Sequence, residues 1–392
     1  MFRSKSFFLS LIFFVLLNSI LYSFIFFFNN KVAFNKRQYL LSAHHYYVDP
    51  RIDNKQFSLL RALGQYDAQI YLKIANSGYP TKALFSLPQT EKYIGSMTYA
   101  FSPFYPLLLS FLNFIFHNIE LSAFIFANIL LLINFLSLYY VISKMYSQTL
   151  AIRTIFLLFL FPFSIFYRSY FAEGLFLFLL IWFSYFLIKK NWFLTALCLA
   201  ALVVTRPNGI PFFLLFFFSL FQAVWRGKIT LQKTIIVSLM SIMPFIGWLY
   251  FCFRQTGDPW YWFHVQTSWF RSFPLFGPLA NNLATILAFA QLPAHGFHES
   301  QVDVTVIGLV FLLLILGRWY LKPQLWWISF LLWFVPLVTK DTMSFSRYQI
   351  VSFPLFIIAS MAPKKYVIGL GITFFLLLFF VSVFFVNWYW VG

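Results

Sequence analysis

The chain has 392 residues, of which 61% are hydrophobic and only 10% are charged. An ordinary soluble domain carries about 25% charged residues, so this composition excludes a water-soluble globular protein and indicates a chain whose main solvent is lipid. The formal net charge of +18 would suggest a nucleic-acid partner in a soluble protein, but the basic residues form short clusters between apolar runs. Such clusters are typical of lipid-headgroup contacts and topology signals, so we expect no nucleic-acid partner.

Apolar runs recur along the whole chain and predict an all-α, polytopic membrane protein with a single domain over residues 1–392. We expect the first run to be retained as a span, because it is long for a signal-peptide core and no small-residue cleavage pattern follows it. About eleven runs are candidate spans, although several are short for a bilayer about 30 Å thick. These candidate spans are residues 7–28, 120–143, 153–168, 171–188, 192–205, 210–225, 234–253, 302–317, 325–339, 349–362 and 366–389.

Lysine and arginine clusters near the span ends orient the chain. All of these clusters fall on one side of the membrane if every candidate span is real, and we expect that side to be cytoplasmic. The clusters are Arg3 with Lys5, Lys144 with Arg153, Lys189 with Lys190, Arg226 with Lys228 and Lys233, Arg318 with Lys322, and Lys364 with Lys365. The opposite side then receives two large outer loops, 29–119 and 254–301, and a short segment, 340–348.

The apolar run from Phe104 to Phe116 does not fit this count. As a helix it is only about 20 Å long, and counting it as a span would move the basic clusters to the outside. We therefore predict a helix that lies at, or dips into, the outer membrane surface. In this topology all ten acidic residues lie in outer segments or near outer span ends, whereas a proton-driven transporter more often carries an acid in mid-span.

Two acidic residues lie beside apolar runs. Asp67 lies near the start of a short amphipathic helix that Gly78 is expected to end; its carboxylate is either a helix cap or a functional group. Glu173 lies at the outer edge of a span, with Arg168 as a candidate partner. A carboxylate in that position is unfavourable unless it is paired or hydrated. Glu173 is therefore either a paired residue of the site or a side chain that extends to the membrane–water interface.

The second large outer loop carries two further patterns. Gly257-Asp258-Pro259 predicts a turn, and the aromatic residues that follow it form either an interfacial belt or a stacking surface for sugar rings. His295, His298 and Glu299 match no standard zinc pattern. We therefore expect no metal site in this pattern and no cofactor. The sequence leaves open whether a divalent cation binds near Asp67 and Glu173.

Six short motifs, taken in order, resemble the PIG-V family, which comprises a GPI mannosyltransferase and its bacterial relatives, all membrane glycosyltransferases of the GT-C type. The motifs are Tyr66-Asp67-Ala68 with Ile74-Ala75 and Gly78-Tyr79, Phe101 to Pro106, Phe161-Pro162 with Tyr170 to Phe176, Thr205 to Gly209, Gly257-Asp258-Pro259, and Arg347-Tyr348 with Phe353-Pro354. Tyr66, Ser102 and Gly174 depart from the family pattern, so the resemblance does not identify the sugar or the acceptor.

The resemblance implies a GT-C-type helical bundle with surface helices in its first outer loop. It also implies an inverting hexosyltransferase, mannosyltransferase-like, that moves a sugar from a polyprenyl-phosphate donor to a glycan or glycolipid acceptor within a lipid membrane. Asp67 is then the general base, and either Arg206 or Arg347 binds the donor phosphate. The implied substrate- and donor-binding residues are Glu173, Arg206, Asp258, Arg347 and Tyr348.

Two alternatives share the same spans and outward arginines. One is a transporter or flippase for a lipid-linked sugar, and the other is a non-catalytic subunit of a glycosylation complex. The chain contains no Asn-x-Ser/Thr acceptor sequence, which favours a bacterial source. We therefore expect a multi-pass protein of the bacterial inner membrane with its site on the periplasmic side; in a eukaryote the same topology would indicate the endoplasmic reticulum membrane.

Overall fold

The structure is a computed structural model that describes residues 5–53, 55–81, 97–269, 276–294, 299–339 and 341–392. Within these ranges the chain is all-helical, without a β-strand. The α-helices are α1 (Lys5–Phe28), α2 (Lys36–Ser42), α3 (Leu59–Leu63), α4 (Asp67–Ser77), α5 (Phe104–Phe116), α6 (Ile119–Met145), α7 (Gln148–Leu160), α8 (Glu173–Lys189), α9 (Trp192–Val203), α10 (Phe212–Trp225), α11 (Leu231–Thr256), α12 (Tyr261–His264), α13 (Gly277–Leu287), α14 (Gln301–Tyr320), α15 (Pro323–Thr339), α16 (Phe345–Gln349), α17 (Phe353–Ser360) and α18 (Lys364–Val386).

Several helices are long and apolar enough to cross a membrane. Six qualify by length and composition within the described residues: Lys5–Lys31, Ile119–Met145, Pro207–Trp225, Leu231–Thr256, Gln301–Tyr320 and Lys364–Val386. The predicted all-α membrane architecture is therefore confirmed at this level. Shorter apolar helices lie between them, at Phe104–Phe116, Gln148–Leu160, Trp192–Val203 and Pro323–Thr339.

Helix α5 has the bounds predicted for a surface helix, residues 104–116. One face of it is buried through Tyr105 and Leu109, while Leu107 and Phe114 on the other face are exposed. The buried face packs on α4 and α6. Because α4 carries Asp67, this packing ties the first outer loop to the long helix α6.

Two predicted spans are divided in the structure. No continuous helix covers 349–362: α17 has only eight residues, about 12 Å of rise, and nearly all of them are buried in the protein. The run 153–168 ends as an α-helix at Leu160, because Pro162 starts a 3-10 turn that continues to Tyr167. These runs are apolar because they lie in the protein core, which hydrophobicity alone does not distinguish from lipid exposure.

Helix α4 begins and ends where the sequence predicts. Asp67 is its first residue, and Gly78 follows its last residue with φ of 73°, a left-handed conformation that glycine adopts at low cost. Tyr66, just before the helix, also has a positive φ of 52°, which is uncommon for an aromatic residue. Its ring is held between Trp388 and Trp390, with centroids 4.9 and 4.8 Å away.

Candidate functional site

Four of the predicted site residues form one connected set of ion pairs, which we call the charge network: Asp67, Glu173, Arg206 and Arg347. Oε1 of Glu173 accepts from Nε of Arg347 at 2.6 Å and lies 2.6 Å from Nη1 of Arg206. Nη1 of Arg347 donates to Oδ2 of Asp67 at 3.0 Å. Residues up to 280 positions apart in the sequence are thereby in direct contact.

The charge network is almost entirely enclosed by protein. Glu173 is 0% exposed, Arg347 4% and Arg206 8%. Burying such charges is unfavourable unless they are paired, and two carboxylates here balance two guanidinium groups. Burial alone would lower the pKa of Arg347, but the carboxylates of Glu173 and Asp67 outweigh it and raise that pKa.

Asp67 is the most accessible member of the charge network, with a side chain that is 19% exposed. Arg347 binds its Oδ2 and leaves the other oxygen, Oδ1, outside this ion pair. The strained backbone at Tyr66 precedes it directly, and such strain persists only where the surroundings impose it. The result is an oriented carboxylate with one oxygen available to a ligand.

Arg347 is held by aromatic rings as well as by carboxylates. Its Cζ lies 4.4 Å from the ring centroid of Phe171, 4.9 Å from that of Phe166 and 5.7 Å from that of Trp390. Contacts of this kind stabilise a desolvated cation. The guanidinium of Arg347 is therefore fixed in place, with its charge directed to Asp67 and Glu173.

Arg206 does not itself line the large apolar cavity of about 910 Å³, but residues next to it do. Its Cζ is 5.6 Å from the ring centroid of Tyr348, and Tyr348 and Pro207, the residue after Arg206, both line that cavity. The remaining lining comes from α15, through residues such as Phe334, from the segment 260–267, and from the start of α10 with the turn before it. The cavity therefore reaches the chain neighbour of Arg206 and the tyrosine ring that Arg206 contacts.

Asp258 does not join the charge network. Its Oδ1 accepts from the backbone N–H of Trp260 at 2.8 Å, which confirms the predicted turn, and its Oδ2 is 2.7 Å from Nδ1 of His264. Its side chain is 34% exposed. Asp258 does not line the cavity, but its two hydrogen-bond partners Trp260 and His264 do.

The expected pairing of Glu173 with Arg168 is wrong. Arg168 is fully buried and donates instead to Asn18, Ser164 and Phe159, because its side chain extends into the bundle and away from α8. Of the His295, His298 and Glu299 pattern, both histidines lie outside the described residues. Glu299 accepts a 3.0 Å hydrogen bond from Oγ1 of Thr285. No group of three metal-ligating side chains occurs in the part of the chain that the structure describes.

Sequence reasoning missed two side chains near Asp67. Tyr71 lies one turn later on α4, and burial raises the pKa of its hydroxyl. This tyrosine interacts electrostatically with all four members of the charge network. His44 comes from the first outer loop; burial lowers the pKa of its imidazole, and the Asp67 carboxylate opposes that shift. The helical spacing from Asp67 to Tyr71 gives a local signal for the tyrosine, but nothing near His44 in the sequence indicates its neighbour.

Comparison of the chain with protein-family models, with curated proteins and with solved structures gave no match. The functional proposal therefore rests on the geometry of the charge network and of the adjoining cavity.

Proposed function

We propose that the protein is an inverting membrane glycosyltransferase that moves a hexose from a polyprenyl-phosphate donor to an acceptor hydroxyl. The observation that carries this proposal is the charge network: one partly exposed carboxylate, Asp67, is held by Arg347, and Arg206 beside it contacts Tyr348, which lines an apolar cavity. A base and a cation within one small site are what displacement of a lipid phosphate by a hydroxyl requires.

In the proposed reaction, Oδ1 of Asp67 accepts the proton of the acceptor hydroxyl. The hydroxyl oxygen attacks the anomeric carbon of the donor sugar and forms the new glycosidic bond, while the bond from that carbon to the phosphate oxygen breaks. The polyprenyl phosphate leaves with the bonding electrons. Attack from the face opposite the leaving phosphate inverts the anomeric centre.

The two arginines have different proposed roles. Arg347 is bound by two carboxylates and covered by aromatic rings, so we assign it to orienting Asp67. Arg206 has only Glu173 as an ion-pair partner among the described residues, and it contacts Tyr348, which lines the cavity. Arg206 is therefore the better candidate to bind the departing phosphate, whose negative charge increases in the transition state.

The cavity suits the lipid part of the donor. Its walls are mostly aromatic and aliphatic, and they come largely from α15, from the segment 260–267, and from the start of α10 with the turn before it. A polyprenyl chain that enters from the bilayer would keep its tail among these side chains and bring its phosphate to Arg206 and Tyr348. Asp258 and His264 would lie at the rim, where the sugar or the acceptor approaches.

The proposed orientation places this site on the non-cytoplasmic face, in a bundle of about eleven spans of the GT-C type. Glu173 begins α8 and Lys189 ends it, about 24 Å away along the axis. Asp303 and Arg318 are likewise near opposite ends of α14. The positions of Lys189 and Arg318 at the helix ends opposite to Glu173 and Asp303 support this orientation, because lysine and arginine prefer the cytoplasmic side.

The choice of mannose as the sugar, and of a glycan or glycolipid as the acceptor, rests on the motif resemblance to the PIG-V family. Arg206 neutralises the phosphate in this scheme, so the proposed reaction needs no metal. The first outer loop (29–119) supplies the base, and the second (254–301) borders the donor site. The resulting protein would be a multi-pass enzyme of the bacterial inner membrane, or of the endoplasmic reticulum membrane in a eukaryote.

Transfer of a labelled sugar tests the proposal directly. Purified protein in liposomes is given radiolabelled polyprenyl-phosphate mannose together with a membrane lipid and glycan extract, and product is separated from donor. We expect label to move into product, and the Asp67→Asn variant to lose about 10²- to 10⁴-fold in turnover because the general base is removed. The fold of the variant should be preserved, since Asn is nearly the same size.

Asp53→Asn is the matched control, because Asp53 lies in the same outer loop with a 56% exposed side chain paired only with Lys55 in the described chain. Near-normal turnover by Asp67→Asn would remove Asp67 from the mechanism. Movement of a fluorescent lipid-linked sugar across the bilayer, without transfer, would favour the flippase alternative. Transfer only after a second protein is added would favour the subunit alternative.

A further inference from the structure

A buried acid outside the charge network lies next to the segment that carries Arg347. Asp303, near the start of α14, is only 4% exposed. Its Oδ1 accepts two hydrogen bonds from Ser346, one from the backbone N–H and one from Oγ, both at 2.8 Å. Its Oδ2 accepts a third, from Oγ of Ser300 at 2.9 Å. A carboxylate is buried favourably only when hydrogen bonds of this kind replace its hydration.

Ser346 is the residue directly before Arg347, so Asp303 binds the backbone of the segment that carries this arginine. That segment starts at Ser344 with a positive φ of 63°, an uncommon conformation for serine that the surroundings must maintain. The short helix α16 has five residues and could not hold its position alone. Its packing on α14 and α15 therefore sets where Arg347 lies, and Asp303 supplies the hydrogen bonds from α14.

We propose that Asp303 is a positioning residue for the proposed transfer reaction, acting through Ser346 on Arg347 and, through Arg347, on Asp67. This inference rests on the proposed function. The chain of contacts is continuous: Asp303 to Ser346 at 2.8 Å, then one peptide bond, then Arg347 to Asp67 at 3.0 Å. Losing the first contact lets α16 shift, and Asp67 then loses its fixed direction.

The kinetic signature follows from which groups move. Arg206 lies on a different element, so Asp303→Ala should change kcat much more than the KM for the polyprenyl-phosphate donor, and any rise in that KM should come from Tyr348, which shares α16 with Arg347. The kcat should fall by up to about 100-fold, the size of effect that small displacements of a catalytic group produce. Asp303→Asn keeps an acceptor oxygen for Ser346 and should recover most of that loss.

A double-mutant cycle separates positioning from a general contribution to folding. If Asp303 acts through Arg347, then Asp303→Ala costs much less in an Arg347→Lys background than in the wild type, because coupled residues are not additive. Equal fold-losses in the two backgrounds would overturn the proposal. So would a loss of folded protein with unchanged turnover per folded molecule. Glu299→Gln is the matched control, an acid near the same helix end bonded to Thr285 rather than to α16.

A second readout does not depend on activity. The indole of Trp390 lies 5.7 Å from Cζ of Arg347, so its fluorine resonance in protein labelled with 5-fluorotryptophan reports the position of the guanidinium. Trp390→Phe assigns the signal. We expect Ser346→Ala and Asp303→Asn to shift it slightly and Asp303→Ala to shift it strongly, with no change in Glu299→Gln. An unmoved resonance in Asp303→Ala would reject positioning even if the wild type transferred no sugar; a moved resonance without transfer would reject only the proposed function.

Discussion

The buried arginines of the charge network and the buried Arg168 differ in the groups that surround them. In the charge network, Arg206 and Arg347 are paired with the carboxylates of Asp67 and Glu173. Arg168 is fully buried too, yet in the described chain no carboxylate pairs with it. Its guanidinium donates only to neutral oxygens, with Asn18 at 2.8 Å and the Ser164 carbonyl at 2.9 Å.

Under the proposed function, the difference separates a structural arginine, Arg168, from the arginines of the site. Neutral oxygens can keep one cation buried and tie the 3-10 turn Pro162–Tyr167 to α1, as they do around Arg168. Two carboxylates are harder to bury than neutral acceptors, so a fold that places them beside two arginines and an open cavity has a reason other than stability. Substitutions in the charge network and at Arg168 test this difference.

The largest effect is expected for Glu173→Gln. This change leaves Arg206 and Arg347 buried without their shared carboxylate, and breaking a buried ion pair costs about 3–5 kcal/mol. We expect both a lower unfolding midpoint in detergent and loss of sugar transfer. Glu120→Gln is the control, because Glu120 forms an ion pair with Arg61 at the edge of the outer loop; a similar loss in that variant would mean that the charge network is not special.

An intermediate effect is expected for Arg206→Ala. A hydrogen bond to a charged group contributes about 1.5–3 kcal/mol, so the KM for the donor should rise by about 10- to 100-fold. Titration of initial rates with polyprenyl-phosphate mannose measures this change. If Arg206→Ala lowered kcat alone and left the donor KM intact, Arg347 would become the better candidate for the phosphate.

The smallest effect on transfer is expected for Arg168→Met. The substitution leaves acceptors such as Asn18 and Ser164 unsatisfied and should cost about 1–3 kcal/mol of stability. Turnover per folded molecule should stay at the wild-type level, because Arg168 touches no member of the charge network. A strong loss of turnover in folded Arg168→Met protein would contradict a purely structural role for Arg168.

Much of the local structure is predictable from the sequence. The helix over 104–116, the end of α4 at Gly78 and the turn at Asp258 all follow from short-range rules for apolar periodicity, glycine and proline. The spans are less predictable where apolar runs belong to the core. The division of 349–362 depends on burial inside the bundle, and a hydrophobic run has the same composition in either solvent.

The motifs predicted site residues but not the interaction partners of those residues. Asp67, Glu173, Arg206 and Arg347 were predicted as site residues, and the structure brings all four into contact. Asp258 was predicted with them but pairs with His264 instead, because its turn belongs to the end of α11. Asp303 had no local pattern that would mark it, since its partner Ser346 is 43 residues away.

By itself, the sequence determined that this chain is all-helical and embedded in a membrane, because so few charges cannot cover a surface in water. It also predicts that the acidic residues lie at one set of span ends. Only the tertiary structure decided which of these charges meet, that Arg168 is satisfied by neutral oxygens, and that Asp303 lies next to the segment that carries Arg347. The reason is physical. A buried charge is stabilised by the groups that the fold brings within about 3 Å of it, and no local sequence pattern specifies which groups those are.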